Sequence, residues 1–468
     1  MTVADATPDF EQGNRDDRAF LGHPKGLGYL GFTEACERFS YYSMQTLLVL
    51  YMVNYLLVPG KMEQVLGLDW LRDSFFPGLD GQPLASAIFG TYTALVYLTP
   101  IFGGILADKF LGRTTTLIVG GVLMAIGHFL MAIEPAFLLA LLALLLGVGA
   151  FKGNIATQVG ELYGPNDLRR AMAFQIFYIF INASVIIAPL ISGTLGQRVG
   201  WHWGFGCAGV VMVLGLIIYL SGRRYLPPDN RPVRGAEKAT VREKLTRDDW
   251  VSLIALLLLI PVLAISLLTN QEIFNAYLVW GDQHFDLRFM GYSMPSSWLI
   301  TLDAAVSFSM LVAVAAFWKW WGTSHREPDE ISKMIIGSFF TVGGGLCLFL
   351  AAWTTPAGGK IGLFWPVMFH FLNSIGFAHI LPISLALFTK IAPKQITGTV
   401  IGLYYLAFFA ANAIVGYVGG LYSSLPTTTF WLLHVASAVV GLVAFVVFKL
   451  VIGHRMTTGI QEQAEALT

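Results

Sequence analysis

Glu34, Glu37 and Arg38 lie within an apolar run, with Leu27 to Thr33 before them and Met44 to Val58 after. A charge at the centre of a bilayer helix costs roughly 2.5–3.5 kcal/mol on insertion scales. Such residues persist when they pair with one another or line a watery cavity, which makes them a functional site by default. On a helix, Glu34 pairs in spacing with both Glu37 and Arg38, so all three share one face. Tyr41 and Tyr42 continue that face a turn further on. Two carboxylates against one cation leave an acid that can take up a proton. The plainer reading is an ion pair that only fixes helix packing.

Lys152 adds a second cation in the stretch Gly147 to Asn154, again inside apolar sequence. An ammonium there calls for a carboxylate or a carboxylated ligand. Glu34 and Glu37 are the expected partners, and with Arg38 and Lys152 they sum to zero charge. Snorkelling to the aqueous edge is the competing reading, and the neutral residues that follow Lys152 weigh against it.

These groups need a membrane frame. Of 468 residues, 55% are hydrophobic and 12% charged, about half the charged share of a soluble domain. Mean hydropathy is +0.65. We read twelve spans, at 27–57, 84–107, 114–133, 136–162, 170–196, 203–221, 250–280, 297–320, 331–353, 361–391, 397–421 and 429–452. Lys109, Arg113, Arg169, Arg170, Lys319, Arg326, Lys333, Lys390 and Lys394 fall on one side, joined by the basic 222–249 stretch. The opposite side has only Lys61, Arg72, Arg198, Arg288 and Lys360. The bias puts both termini in the cytoplasm.

The expected organisation is a cytoplasmic tail (1–26), a six-helix bundle (27–221), a linker (222–249), a second six-helix bundle (250–453) and a cytoplasmic tail (454–468). The linker has no apolar run for additional helices. The long external segment 59–83 has Trp70, Phe75 and Phe76 to fold around. The polar, acidic first residues lack a signal-peptide pattern. Zero net charge gives no hint of nucleic acid. Cys36, Cys207 and Cys347 sit in apolar stretches as small core residues, with no disulfide framework or metal site. No HExxH, acidic metal pair or nucleophile elbow suggests an enzyme.

The pattern ExxERFxYY over Glu34–Tyr42 resembles the signature of the proton-dependent oligopeptide transporter family, a branch of the major facilitator superfamily. Gly103-Gly104-Ile-Leu-Ala107-Asp108-Lys109-Phe-Leu-Gly112-Arg113 is similar to the superfamily's general signature. Its glycines allow close helix approach, and Asp108 can pair with Arg113. Phe177-Tyr178-Ile-Phe-Ile181-Asn182 resembles the family's FYxxIN, with Ser184 where glycine is usual. Tyr97 matches a tyrosine thought to line the site, and Lys152 matches a family lysine, with Gly153 in place of the following proline. Thr389-Lys390-Ile-Ala-Pro393 adds a match in the second half.

The resemblance implies an all-α membrane protein of twelve transmembrane helices in two six-helix bundles, with alternating access around a central cavity. It implies a monomeric inner-membrane importer of di- and tripeptides by proton symport, using the proton gradient and no cofactor or metal. Its partners would be short peptides, protons and the lipid bilayer. Arg38 and Lys152 would hold the peptide carboxylate, while Tyr41, Tyr42, Tyr97 and Asn182 contact its backbone. Glu34 and Glu37 would compete with the ligand for the cations, so that protonating one frees a cation.

The second half departs from the family. Phe377 replaces a tenth-span glutamate proposed to hold the peptide amino group, and Asp303-Ala304 stands where relatives have asparagine before proline. Asp303 is expected to take the amino-group role or to supply a proton site. Alternatively it is solvated at the external edge. The outer gate of relatives pairs an arginine with an acid; Gln45 and Gln271 match those positions, with Glu272 adjacent. Gly90 occupies the place of a histidine in animal relatives. A carrier of another small anion or drug on the same fold, and a non-transporting nutrient receptor, are the other readings.

Overall fold

The computed structural model describes residues 13–14, 16–164, 167–229, 245–356, 358–393 and 396–453. Most of the 222–249 linker, including the expected absence of additional helices there, lies outside the described residues. So do the 454–468 tail, most of the N-terminal tail and Lys394.

The first unit covers 1–85 and 95–238, and the second covers 86–94 and 239–468. The division thus falls within the expected linker, and only a short piece of the second helix groups with the second unit. In the first unit the long helices are α1 (Lys25–Tyr51), α2 (Gly81–Leu106), α3 (Arg113–Leu130), α4 (Phe137–Glu161), α5 (Arg169–Ala188) and α6 (Trp201–Ser221). Residues 86–94 of α2 are the piece just mentioned. In the second unit they are α7 (Arg247–Ser266), α8 (Trp298–Trp321), α9 (Glu330–Thr354), α10 (Phe364–Ile391), α11 (Thr397–Gly420) and α12 (Thr427–Phe448).

The packing scheme repeats. In the first unit α3 packs on α4, α1 on α6 and α5, and α3 on α6; in the second α9 packs on α10, α7 on α12 and α11, and α9 on α12. Each contact recurs six helices later, the signature of an internally repeated transporter fold. Small residues make the tightest contacts. A Cβ at Gly103 of α2 would run into the carbonyl of Gly149 on α4, and one at Gly337 of α9 would come 2.9 Å from the carbonyl of Gly376 on α10.

Among the described residues, eleven helices are long and apolar enough to cross a membrane. Polar side chains keep α1 below that apolarity, but its 27 residues span about 40 Å at 1.5 Å per residue. Outward faces are apolar, as at Leu139, Leu142 and Leu146 on α4 and Val210, Val213, Leu214 and Ile217 on α6. The arrangement is inverted relative to a soluble protein: the lipid-facing stripe is aliphatic and the charges are inside.

The seventh span is not one continuous helix as 250–280 suggested. A capping box, Thr246 with Asp249, starts α7. The helix stops at Ser266, and the chain passes through Leu268–Gln271 and a 3₁₀ turn, Glu272–Phe274, before restarting at Ala276–His284. Asn275 breaks the run at φ −119°, ψ −114°. Its side chain satisfies other backbone and hydroxyl groups, accepting from Ser86 Oγ at 2.9 Å and donating to the Val415 carbonyl at 3.2 Å. Interrupted helices are tolerated where protein re-satisfies the freed polar groups.

The segment between α1 and α2 folds locally, as expected. It contains the helix Leu68–Phe75, with Trp70 and Phe75 edge to face at 5.7 Å. Beyond α7, the strands β1 (Arg288–Phe289) and β2 (Tyr292–Ser293) form a hairpin. Met290 and Gly291 at its tip both have positive φ, as a tight right-twisting hairpin requires.

Candidate functional site

The first-unit cluster is built on α1. Arg38 Nε lies 3.1 Å from a Glu34 carboxylate oxygen, and Arg38 Nη2 donates to Glu37 Oε1 at 2.8 Å. Arg38 Nε also pairs with Glu37 Oε2, so the guanidinium meets Glu37 with two nitrogens on two oxygens. All three side chains are buried. Helical spacing creates the Glu34 contact, and the short reach between adjacent residues creates the Glu37 fork.

Lys152 is placed by α4, and here the geometry differs from expectation. Among the described residues no carboxylate lies within ion-pair distance of its ammonium. Instead Nζ stands 5.0 Å from the centre of the Tyr97 ring and 6.0 Å from that of Tyr41. The Arg38 guanidinium carbon lies 5.2 Å from the same Tyr41 ring. Tyr41 is therefore shared by both cations, and its electron-rich face partly offsets their desolvation. The snorkelling reading fails, because Lys152 faces the tyrosines and interacts electrostatically with Arg38, Glu37 and Glu34.

Tyr42 packs edge to face on Tyr41 at 5.1 Å. Asn182 donates its side-chain amide to the Tyr178 carbonyl of its own helix at 2.8 Å. Ser184, where relatives have glycine, donates to the Ala35 carbonyl at 2.8 Å. It ties α5 to α1 beside Glu34. Sequence reasoning missed Ser40, whose hydroxyl lies 2.5 Å from His128 Nε2 on α3, both fully buried. Only a lone histidine in an apolar helix signalled this contact.

At the end of α2, Asp108 lies 3.6 Å from Arg113, the pairing the signature implied. Arg113 also pairs with Glu161 of α4, a partner the motif does not contain.

In the second unit, Asp303 of α8 is buried, not solvated. Its Oδ1 lies 2.9 Å from His370 Nδ1 on α10, and His370 Nε2 lies 2.8 Å from the Tyr277 hydroxyl. The sequence did not indicate His370 or Tyr277, because the three come from separate helices with no common spacing. Phe377 is half-buried further along α10.

Of the gate candidates, Gln271 and Glu272 are engaged within the second unit. Gln45 is buried on α1. Gln271 accepts from Asn412 at 3.3 Å and donates to Asn270 at 3.2 Å. Glu272 is fully buried, caps the restarted helix by accepting from the Ala276 amide at 3.0 Å, and faces His434 Nε2 at 3.5 Å. That carboxylate at a helix start is a structural cap. Gly90 presses on the backbone of Gly416, where a Cβ would collide; a histidine has no room there.

The profile of the Major Facilitator Superfamily matches residues 39–416. The uncharacterised transporter YclF of Bacillus subtilis (strain 168) is 29% identical, with 88% of this chain and 91% of that protein covered. A di-/tripeptide transporter of Lactococcus lactis subsp. cremoris is 28% identical over 93% of this chain and 97% of its own. A crystal structure of a peptide transporter in complex with sulfate superimposes with a TM-score of 0.82 at 26% identity, covering 97% of this chain and 98% of that one. The chain belongs to the Major Facilitator Superfamily, and within it to the oligopeptide transporter family that the Glu34–Tyr42 signature indicated.

Proposed function

We propose that the protein imports di- and tripeptides by proton symport, as a monomer in the inner membrane with both termini in the cytoplasm. The observation that carries this reading is the allocation of charge in the first unit. Arg38 is held by two glutamates, while Lys152 faces the Tyr97 and Tyr41 rings and, among the described residues, makes no ion pair with a carboxylate. Lys152 is the group prepared for an incoming carboxylate.

Fully charged, the cluster is neutral. Protonating Glu34 or Glu37 makes it +1 and releases guanidinium donors, so a carboxylate ligand binds better after a proton has arrived. The linkage is reciprocal: a bound carboxylate favours the proton equally. One proton moving down 100 mV and one pH unit supplies about 2.3 plus 1.4 kcal/mol, enough for several-hundred-fold accumulation. The di-/tripeptide transporter among the relatives supports peptide as the carboxylate ligand.

The test is uptake of a labelled dipeptide into proteoliposomes with and without an inward proton gradient. The gradient should produce accumulation, and unlabelled dipeptides should compete where free amino acids do not. Competition by an unrelated small anion or drug, with none by dipeptides, would replace this reading with a different carrier on the same fold.

A further inference from the structure

The chain ahead of α1 folds back across the end of the first bundle where α4 passes into α5. It is fastened to α1 at two points. The residue before the helix is Pro24, whose side chain offers no cap. Asp17 supplies one instead, accepting from the Lys25 amide at 2.7 Å. The Phe20 ring lies against Gly28, where a Cβ would come 2.9 Å from it.

The same segment is fastened to the α4–α5 side. Arg169, the first residue of α5, grips Asp167 through Nε at 3.1 Å and Nη2 at 2.8 Å. Its Nη1 and Nη2 also donate to the carbonyls of Asn14, Asp17 and Gly22 at 3.1, 3.1 and 3.5 Å. His23 meets the Tyr163 hydroxyl, and Phe20 stacks on Phe180 of α5 at 6.3 Å between ring centres. Gly31 of α1 admits that second ring, which lies 2.7 Å from where a Cβ would stand.

The turn at the centre of the segment is strained. Phe20 and His23 exchange both backbone hydrogen bonds, at 3.0 and 2.8 Å, around Leu21 and Gly22. Both central residues have positive φ, +51° and +81°, the pattern of a two-residue hairpin turn that Asn-Gly favours. Glycine adopts such a backbone freely. Leucine does not, and packing does not compensate it, since Leu21 is 74% exposed. A bulky residue persists there only where its surroundings over-determine it, and such strain gathers at clamps and switch regions.

We propose that residues 17–24 are a latch that ties the start of α5 to α1, and that the strained turn at Leu21 keeps it weak enough to open when α5 moves. Opening parts Arg169 from three backbone carbonyls and slides one ring off another. The Arg169–Asp167 pair stays intact, so release strands no charge. The latch restrains motion of the first bundle whatever ligand is carried.

The experiment pairs hydrogen exchange with counterflow of labelled dipeptide, on the full chain in proteoliposomes at one pH. Leu21→Asn gives the turn its favoured pair and should tighten the latch. Exchange over residues 17–24 should slow roughly fivefold, exchange over 169–176 should slow with it, and counterflow should slow. Phe20→Ala should do the reverse in all three. Leu21→Ala keeps a Cβ in the same backbone region and should match wild type; tightening by that variant too would refute the strain argument. Leu21→Asn indistinguishable from wild type over 17–24 overturns the proposal. Slower exchange there with no change over 169–176, or with counterflow as in wild type, reduces the segment to a helix cap and overturns it as well. Should Phe20→Ala fail to fold, Leu21→Asn alone decides. The exchange arm requires no ligand, so coupled slowing of the two regions supports the tie even if no dipeptide is carried, a result that would strike only the peptide reading.

Discussion

The ammonium of Lys152 lies 5.0 Å from the centre of the Tyr97 ring. That contact leaves its donors unspent on carboxylates and sets the first prediction. Lys152→Met should remove the discrimination between a dipeptide and its C-terminal amide. Losing a desolvated charge partner is worth about 2–5 kcal/mol, or 30-fold or more in affinity. Competition binding with the two ligands checks it; a retained preference for the free carboxylate would assign that role elsewhere.

Arg38 should be the most structurally sensitive residue of the cluster. Arg38→Ala leaves two buried carboxylates without their cation, which costs about 3–5 kcal/mol. Arg38→Lys should rescue little, because a lysine cannot reproduce the two-nitrogen contact to Glu37. Thermal unfolding in detergent should rank wild type above Arg38→Lys, and Arg38→Lys at or slightly above Arg38→Ala.

Neighbouring glycines should respond oppositely to one methyl group. Gly103→Ala meets the Gly149 carbonyl, while a Cβ at Gly104 meets nothing within 4 Å. Overpacking of this kind costs about 1–3 kcal/mol, so Gly103→Ala should lower the melting temperature and Gly104→Ala should not. Equal effects would contradict the close α2–α4 approach.

The segment before α1 should loosen in mild acid. His23 bonds through Nδ1 to the Tyr163 hydroxyl at 2.9 Å. Burial, and then the nearby Arg169, push its pKa below the ordinary 6.5. The folded state thus favours the neutral ring. Its contribution is complete above pH 6.5 and declines as pH falls below that toward the lowered value. Arg169 reinforces the segment through the carbonyls of Asn14 and Asp17, both at 3.1 Å. Hydrogen exchange over residues 16–24 should rise from pH 7 to pH 5, and His23→Gln should flatten the change.

The reach of sequence reasoning follows from where each signal resides. Glu34, Glu37 and Arg38 are on one helix, so spacing alone brings them together, and the structure keeps them in contact. Hydropathy located the spans because lipid faces a continuous apolar stripe. Lys152 feels Glu37 and Glu34 electrostatically but, among the described residues, makes no ion pair with either, since α4 sets its height against Tyr97 and Tyr41. The Asp303–His370–Tyr277 chain was invisible because its members come from three helices. The break at Asn275 was missed because hydropathy averages over the polar side chains that satisfy it.

The central claim is that a proton and a carboxylate share one balance of charge around Arg38. Glu37→Gln tests it most directly, in proteoliposomes loaded for both assays. Counterflow exchange of labelled dipeptide should persist, because exchange requires binding without net proton movement, whereas accumulation driven by an inward proton gradient should fall to the no-gradient level. Gradient-driven accumulation equal to wild type would contradict the account.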